Sequence, residues 1–334
     1  MPINPHQKLN HKLFDKTVDT APIRKGFGEG LALAGAADKN VVALCADLTE
    51  STQIELFRQK FPDRFIEIGV AEQNLVTVAS GLAAMGKIPF SSSYAVFNPG
   101  RNWEQIRTTV CINNVPVKIV GSHAGVSVGP DGATHQALED IALMRSLPNM
   151  IVISPCDAIE ARKATIAAAK NGKPTYLRLA REKTPIITTD QTPFLIGKAQ
   201  VIYQPNLKSS LDVGIIATGH LVYKAIMVAK KLEEEGKSVA VMNLSTIKPL
   251  DSEGIIKLAN DSGAIVTVEE HQIAGGMGSA VAECLAMNRP VPIEFIGVKD
   301  KFGQSGTPAE LIEHYEIGES HIYEAAQRVI LRKK

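Results

Sequence analysis

Short apolar runs rich in β-branched residues alternate with helical patterns along almost the whole of this 334-residue chain. In the first part, the candidate strands are 41–48, 64–69, 88–93, 117–122, 150–155 and 175–180. Helical patterns lie between them, at 24–37, 72–85, 99–113 and 157–170. Continuous apolar strands separated by helices are typical of a mainly parallel sheet covered on both faces. The sequence therefore predicts an α/β fold.

A stretch rich in Thr and Pro, "REKTPIITTDQTPFLIGK", interrupts this rhythm and is typical of a linker. The alternation then restarts, with candidate strands at 213–219, 239–245, 264–270 and 293–298. The chain is also long for a single hydrophobic core. We therefore predict two doubly wound domains with mainly parallel sheets, over residues 1–185 and 206–334, joined by a linker over 186–205.

The charge balance excludes some classes of partner. The chain has 36 basic and 35 acidic residues, a formal net charge of +1, and few aromatic residues. No nucleic-acid or membrane partner is expected from such a balance. The four cysteines are far apart without a CxxC pair, which is typical of buried thiols in a reducing compartment. With no signal-like segment and no run of 18 apolar residues, we expect a cytoplasmic protein.

Polar, titratable or aromatic residues follow each predicted strand of the first domain. In open parallel sheets, ligands bind just beyond the carboxyl ends of the strands. The sequence therefore predicts a ligand site at this edge of the first sheet. The residues that follow the strands are Asp47, Ser51, Glu72, Tyr94, Phe97, His123, Asp131, His135 and Arg181.

Glu72 has an unusual place in this pattern. It lies in the first turn of the predicted helix 72–85, whose other residues are mostly small and apolar. An acidic residue there can simply stabilise the positive end of the helix dipole, by a few tenths to about 1 kcal/mol. A buried carboxylate at the edge of a ligand site can also have a chemical role. On this stretch alone the helix-dipole interpretation is favoured, and a chemical role needs support from the rest of the chain.

Four segments of the chain resemble the transketolase family of thiamine diphosphate enzymes. They are "GVAEQNL", "GSHAGVSVGPDGATHQALEDIALMRSLPNM", "LRLAREKTP" and "VEEHQIAGGMGSAVAE". The resemblance covers almost the whole chain, but only the later part of a full-length transketolase. It therefore implies a pyrimidine-binding domain followed by a transketolase C-terminal domain. "VGPDGATHQALEDIA" is highly specific, whereas "VAEQN" is shared with related families.

The resemblance implies cofactor contacts for four residues. Glu72 is expected to share a proton with the far nitrogen of the thiamine pyrimidine ring, which suits a carboxyl group held out of water. Phe97, and in second place Tyr94, are expected to stack on that ring. Asp47 is expected to lie beside the cofactor. A third aromatic residue of many transketolases falls on Gly100 here, which implies a smaller or differently shaped ring cage.

The resemblance also implies contacts to a sugar donor. His123 and His135 are expected to bind its hydroxyl and carbonyl groups and to move protons, and Asp131 to recognise the configuration of a hydroxyl group. A metal site is the rival interpretation of these residues. It is disfavoured because the sequence shows neither short ligand spacing nor a cysteine partner.

Arg24, Ser51 and Arg181 are expected, on the same resemblance, to bind the terminal phosphate of the sugar. Arginine suits this task because its planar guanidinium pairs with two oxygens at once. Each of the three, taken alone, is more typical of a solvated or ion-paired surface residue. In the second domain, the glycine-rich start of the helix in "EEHQIAGGMGSAVAE" is able to bind an anion. Helix packing is the favoured interpretation there, and we assign it no site residue.

The family holds the diphosphate and a divalent metal through a Gly-Asp-Gly motif followed by Asn, and this chain has no such motif. The resemblance therefore implies one half of a split transketolase. A separate N-terminal subunit would carry the diphosphate-binding domain and the metal, Mg²⁺ or Ca²⁺. We expect a heterotetramer that acts on sugar phosphates, and a chain that is inactive alone.

Two other functions stay open. The first is a beta-type subunit of another thiamine diphosphate enzyme, either a 2-oxo-acid dehydrogenase or a deoxyxylulose phosphate synthase-like protein. The combination of His123 with "DGATHQ" favours transketolase over these. The second is a non-catalytic scaffold on the same fold, since fold alone does not determine function. It is disfavoured because a degenerate copy is expected to lose part of the set of site residues.

Overall fold

The computed structural model describes residues 4–204 and 211–333. The helices are α1 (Ile23–Ala37), α2 (Glu55–Lys60), α3 (Glu72–Ala84), α4 (Trp103–Gln105), α5 (Asp140–Arg145), α6 (Ala158–Lys170), α7 (Leu221–Glu234), α8 (Ser252–Ser262), α9 (Met277–Asn288), α10 (Pro308–His314) and α11 (Glu319–Leu331). The strands are β1 (Thr20–Pro22), β2 (Val41–Cys45), β3 (Phe65–Glu67), β4 (Ile88–Tyr94), β5 (Lys118–Ser122), β6 (Ile151–Ile153), β7 (Thr175–Arg178), β8 (Lys183–Pro185), β9 (Gln200–Tyr203), β10 (Val213–Ala217), β11 (Val239–Asn243), β12 (Thr246–Lys248), β13 (Ile265–Gln272) and β14 (Ile293–Val298).

The first sheet has seven strands in the order β12-β6-β7-β5-β4-β2-β3. All neighbours are parallel except β12, which runs antiparallel to β6. The central strands β2 and β5 are buried along their whole length, as expected of strands covered on both faces. The carboxyl ends of the six parallel strands lie at one edge. The predicted α/β class with a mainly parallel sheet is confirmed.

The second sheet has five strands in the order β14-β13-β10-β11-β9, and only β9 is antiparallel to its neighbour. Helix α7 packs on β11 and β13, while α9 packs on β13. A separate two-stranded antiparallel ribbon joins β1 to β8. Among the described residues, no helix is long and apolar enough to cross a membrane. All four cysteines are buried free thiols, as the sequence predicts.

Helix α1 packs unusually closely on α6. A Cβ atom at Gly26 would clash with the carbonyl oxygen of Ala158, and one at Gly30 would lie 2.7 Å from the carbonyl oxygen of Arg162. Only glycine allows the two backbones to approach so closely. This contact places the first turn of α1, with Arg24, at the carboxyl edge of the sheet.

The structure differs from the sequence-based expectation in several elements, including the following three. Strand β12 follows the second-domain strand β11 in sequence but completes the first sheet beside β6. The helix expected over 99–113 is a short α4 followed by a π-helical segment over Ile106–Cys111. Strand β9 lies within the range expected to be a linker and pairs with β11.

The two sheets share a hydrophobic core. One buried cluster includes Val42 and Ile119 of the first sheet together with Met242, Ile247 and Leu258 from the second half of the chain. Burial of apolar surface across this boundary stabilises one arrangement of the two halves.

Candidate functional site

Three side chains from three different strand ends meet at the carboxyl edge of the first sheet. Ser51 Oγ lies 2.7 Å from the hydroxyl of Tyr94 and 3.4 Å from Nε2 of His123. The rings of Tyr94 and His123 are 4.0 Å apart between centroids. The loops after β2, β4 and β5 therefore converge, as the sequence predicts for this edge.

His123 is held in a strained and dry position. Its φ is +54°, a left-handed conformation that side chains rarely adopt. The residue is 2% exposed, and its Nδ1 lies 2.9 Å from Oγ of Ser122. Burial, followed by the positive charges of Arg24 and Arg181, lowers the pKa of His123 to about 3. The imidazole is therefore neutral at physiological pH, so one ring nitrogen can accept a hydrogen bond while the other donates one.

His135 and Phe97 complete the aromatic wall of the site. The imidazole of His135 lies edge-on to both rings, with centroids 5.4 Å from Phe97 and 6.2 Å from Tyr94. The Phe97 and Tyr94 rings are nearly parallel, with an interplanar angle of 20° and centroids 6.3 Å apart. His135 Nδ1 lies 2.9 Å from Oγ1 of Thr134. The structure thus brings both predicted histidines and both predicted aromatic residues into one cluster.

Two arginines add positive charge beside this cluster. Arg24 donates from Nη1 to the backbone oxygen of Ser51, and its buried Nε has no partner among the described residues. The pKa of Arg24 is lowered, first by burial and then by the positive charge of Arg181. Arg181 donates to the backbone oxygen of Val128 at 2.6 Å and approaches Asp131 Oδ2 at 3.4 Å. Two guanidinium groups that repel each other while one nitrogen lacks an acceptor make a favourable position for an anion.

Glu72 is the first residue of α3 and is 3% exposed. Its Oε2 accepts a hydrogen bond from Nη1 of Arg101 at 2.9 Å, and its backbone oxygen accepts one from Asn102 Nδ2 at 2.8 Å. The Arg101 guanidinium carbon lies 4.6 Å from the centroid of the Phe97 ring, on its face. A planar, positively charged donor thus contacts both a buried carboxylate and an aromatic face.

The residues around Glu72 fit the pyrimidine ring of thiamine. An aminopyrimidine is also a flat ring with polar nitrogens, so it can stack on Phe97 as Arg101 does. A ring nitrogen can also pair with the Glu72 carboxyl group through a shared proton. The Arg101 side chain is half exposed and can move into solvent without breaking the core. The site therefore offers one carboxylate and one aromatic face to such a ring.

Among the described residues, Asp47 does not join the hydrogen-bonded cluster. It is exposed at the end of β2, with a φ of +57°, and its backbone N–H donates to Glu67 Oε1 at 2.7 Å. Glu67 also accepts hydrogen bonds from Thr49 Oγ1 and from the backbone N–H of Gly69. Within the described residues, no hydrogen bond joins the Asp47 side chain to the other predicted site residues. Glu67, which the sequence does not single out, is the residue that organises this loop.

The glycine-rich start of α9 already holds an anion of its own. The backbone N–H groups of Met277 and Gly278 donate to the two carboxylate oxygens of Glu269, at 2.6 and 2.8 Å. Glu269 is 1% exposed, and a Cβ atom at Gly276 would clash with its carboxylate. The helix end is therefore satisfied internally, which agrees with the favoured interpretation of packing.

Over 4–204 and 211–333, no group of three or more His, Cys, Asp or Glu residues is arranged to hold a metal ion. This includes His123, Asp131 and His135, for which metal binding was the rival interpretation. The aromatic and cationic surroundings of the histidines also differ from a metal site, which needs several ligand atoms directed at one point.

Two residues of the site are not evident from the sequence. Arg101 pairs with Glu72 although 29 positions separate them, and Ser122 hydrogen-bonds its neighbour His123. Neither belongs to a spacing pattern of its own. For Arg101, the available signal is its place four residues after Phe97, on the segment that enters the site.

Comparison with known proteins agrees with this geometry. Residues 19–186 match the sequence model of the transketolase pyrimidine binding domain, and residues 204–322 match that of the transketolase C-terminal domain. A putative transketolase C-terminal section from Methanocaldococcus jannaschii is 44% identical over 302 residues, which cover 89% of this chain and 93% of that protein. A 6-deoxy-6-sulfo-D-fructose transketolase subunit from a Clostridium species is 39% identical, over 89% of this chain and 90% of its own length.

A solved structure is similar over nearly the whole chain. It is a split-gene transketolase described as an inactive beta4 tetramer, 41% identical to this protein. The superposition covers 94% of this chain and 99% of that one, with a TM-score of 0.86. The protein therefore belongs to the transketolase family and carries that family's pyrimidine-binding and C-terminal domains.

Proposed function

We propose that this chain is the C-terminal subunit of a split transketolase. With a partner chain, it transfers a two-carbon ketol unit from a ketose phosphate to an aldose phosphate, using thiamine diphosphate. The observation that carries this proposal is the joining of two half-sites. One half contains Glu72 and Phe97, and the other contains Ser51, His123 and the two arginines. The Tyr94 and His135 rings link the two halves into one cluster.

When bound, thiamine diphosphate supplies a nucleophilic carbon and an electron sink for breaking a carbon–carbon bond next to a carbonyl group. Glu72 holds a proton at the pyrimidine ring nitrogen, in a pocket from which water is largely excluded. Phe97 orients the ring by stacking. Arg101 leaves the carboxylate when the ring binds and moves into the solvent that it already contacts.

The other half of the site binds and orients the sugar. Neutral His123 accepts a hydrogen bond from a hydroxyl group of the donor, and Ser51 and His135 hold neighbouring oxygens. Arg24 and Arg181 bind the distal anion. Binding energy from this remote group positions the reacting carbons and need not act on them directly.

The distal anion can be a phosphate or a sulfonate, because a guanidinium pairs with the oxygens of either group. The Clostridium relative named for a sulfosugar substrate gives a reason to test both. A partner subunit completes the site in this proposal, since the chain lacks a Gly-Asp-Gly diphosphate motif. That subunit holds the divalent metal, Mg²⁺ or Ca²⁺, and two copies of each chain form a heterotetramer.

Co-purification from the native host, followed by a two-substrate assay, tests this function. The assembled complex is expected to transfer a ketol unit from a phosphorylated or sulfonated ketose to an aldose phosphate. This chain alone is expected to be inactive. Release of CO₂ from pyruvate, without ketol transfer, would instead identify a subunit of another thiamine enzyme.

A complex that binds neither thiamine diphosphate nor a ketose would favour the scaffold alternative. An active, cofactor-loaded preparation of this chain alone would contradict the split-subunit proposal.

Arg24→Ala tests whether this residue binds the distal anion of the donor. It is expected to raise KM for the anionic donor about 10- to 100-fold, while leaving KM for an uncharged ketose nearly unchanged.

A further inference from the structure

The C-terminal domain holds the loop that separates the two site histidines. Ser127 lies in this loop, and its backbone N–H and Oγ donate to the two carboxylate oxygens of Glu270, at 2.5 and 3.1 Å. Glu270 belongs to β13 of the second sheet and is 4% exposed. Gly125, with a φ of +91°, packs so closely on this carboxylate that a Cβ atom would clash with it. The carboxylate therefore fills the inner side of the loop.

Gln136 holds the far end of the same loop. It is 3% exposed, and its Nε2 donates to the backbone oxygens of Val126 at 3.1 Å, Gly129 at 3.2 Å and Gln304 at 2.9 Å. The first two bonds close the loop on itself, and the third ties it to the segment before α10. The loop is thus fastened to the C-terminal domain at two points.

This loop also touches the anion-binding part of the site. Its Val128 backbone oxygen accepts the hydrogen bond from Arg181, so a displaced loop would release that guanidinium. His123 precedes the loop by one residue and His135 closes it. The position of all three site residues therefore depends on the conformation of residues 124–134.

We propose that Glu270 is a positioning residue for the donor-sugar site. By binding Ser127 it keeps the loop in the conformation that presents His123, His135 and Arg181 to one substrate. The proposal rests on the proposed function for its substrate, but the contact itself belongs to this chain alone. It gives the C-terminal domain a role in donor binding.

Burying the carboxyl group of Glu270 costs free energy, which would not be needed if the residue only filled space. Burial raises its pKa to about 7, an effect that the positive charge of Arg178 and the hydrogen bonds from Ser127 partly offset. Nε2 of His220 lies 3.1 Å from the same carboxylate. An apolar side chain of similar volume would avoid this penalty, but it could not accept the two hydrogen bonds of Ser127.

The adjacent Glu269 is a matched control. It lies on the same strand with its side chain on the opposite face, is equally buried, and also has a pKa raised to about 7 by burial. Its oxygens bind the start of α9, with no hydrogen bond to the loop among the described residues. Glu269→Ala therefore removes a comparable carboxylate without touching the loop.

Hydrogen exchange of the full chain tests the contact without any cofactor. Glu270→Ala is expected to raise the exchange rates of residues 125–132 about tenfold or more, since two hydrogen bonds are lost. Glu269→Ala should raise them at the start of α9 only. Glu270→Gln should stay near the wild-type pattern, because an amide can accept from the Ser127 N–H and donate to its Oγ. Ser127→Ala should show a smaller change in the same loop.

Kinetics of the complex with the partner chain test the role of Glu270 in donor binding. Glu270→Ala is expected to raise KM for the ketose donor about tenfold, with rescue by Glu270→Gln and with an unchanged dissociation constant for thiamine diphosphate. Equal loop exchange in the Ala variants of Glu270 and Glu269 would overturn the proposal. Changed exchange with an unchanged donor KM would overturn it too. A wild-type complex without ketol transfer would instead refute the proposed function.

Discussion

The backbone at His123 has a positive φ and the side chain is buried, an arrangement that costs free energy unless its surroundings enforce it. Ser122 and Ser51 hydrogen-bond the two ring nitrogens, and Tyr94 packs on the ring face. The sequence predicts a histidine at the end of β5, but its strain and its protonation follow from burial and from contacts with residues of other strand ends.

The depressed pKa of His123 makes a prediction about stability. Since its folded pKa of about 3 lies below the ordinary 6.5, the unfolded chain binds a proton between these pH values that the folded chain does not. The stability that the neutral ring contributes is complete above pH 6.5 and is lost as the pH falls. Between pH 7.5 and 5, His123→Asn is therefore expected to lose about 2 kcal/mol less stability than the wild type.

Chemical denaturation at the two pH values measures this difference. His11→Asn is the control, because the His11 side chain is exposed to solvent. An identical pH dependence in His123→Asn and the wild type would show that the ring is not buried as described.

At the scale of elements, the alternating pattern predicts the parallel strands of both sheets, because burial on two faces leaves long apolar runs. It does not predict β12 or β9, which are three and four residues long and are defined by their partner strands. The π-helical turn after α4 is also hidden, because a change in hydrogen-bond register leaves the residue pattern helical. The contact between α1 and α6 is a further feature that pattern alone does not reveal.

Alanine substitutions at two glycines distinguish the effect of close packing on stability from the effect of helix propensity. Gly26→Ala is expected to destabilise the chain by about 1–3 kcal/mol, since α1 must move away from α6 to admit a methyl group. Gly81→Ala, in the exposed face of α3 with no atom within 4 Å of the new Cβ, is expected to stabilise it by about 0.4–1 kcal/mol. Thermal or denaturant unfolding of this chain alone measures both. A destabilisation that is equal in the two variants would argue against the close α1–α6 contact.

At the scale of the whole molecule, the site residues lie in the first domain, but their arrangement also depends on contacts with the second domain. The family resemblance predicts most members of the cluster, since each follows a strand or a recognisable motif. It gives no indication of Arg101 or Glu270, whose partners lie 29 and 143 positions away. Such contacts depend on how loops and domains pack, and a single sequence does not display that packing. The second domain therefore acts on the site indirectly, through its hydrogen bonds to the loop over residues 124–134.

The most direct test of the central claim is the rate at which the thiazolium C2 proton of thiamine diphosphate exchanges with deuterium in the assembled complex. Glu72→Gln is expected to slow this exchange about 10²- to 10⁴-fold, because an amide cannot share a proton with the pyrimidine nitrogen as a carboxyl group does. Glu104 is an exposed residue of α4, and the Glu104→Gln variant is the control. Its bound cofactor should exchange the C2 proton at the wild-type rate. Wild-type exchange in Glu72→Gln, with the cofactor bound, would contradict the role proposed for Glu72.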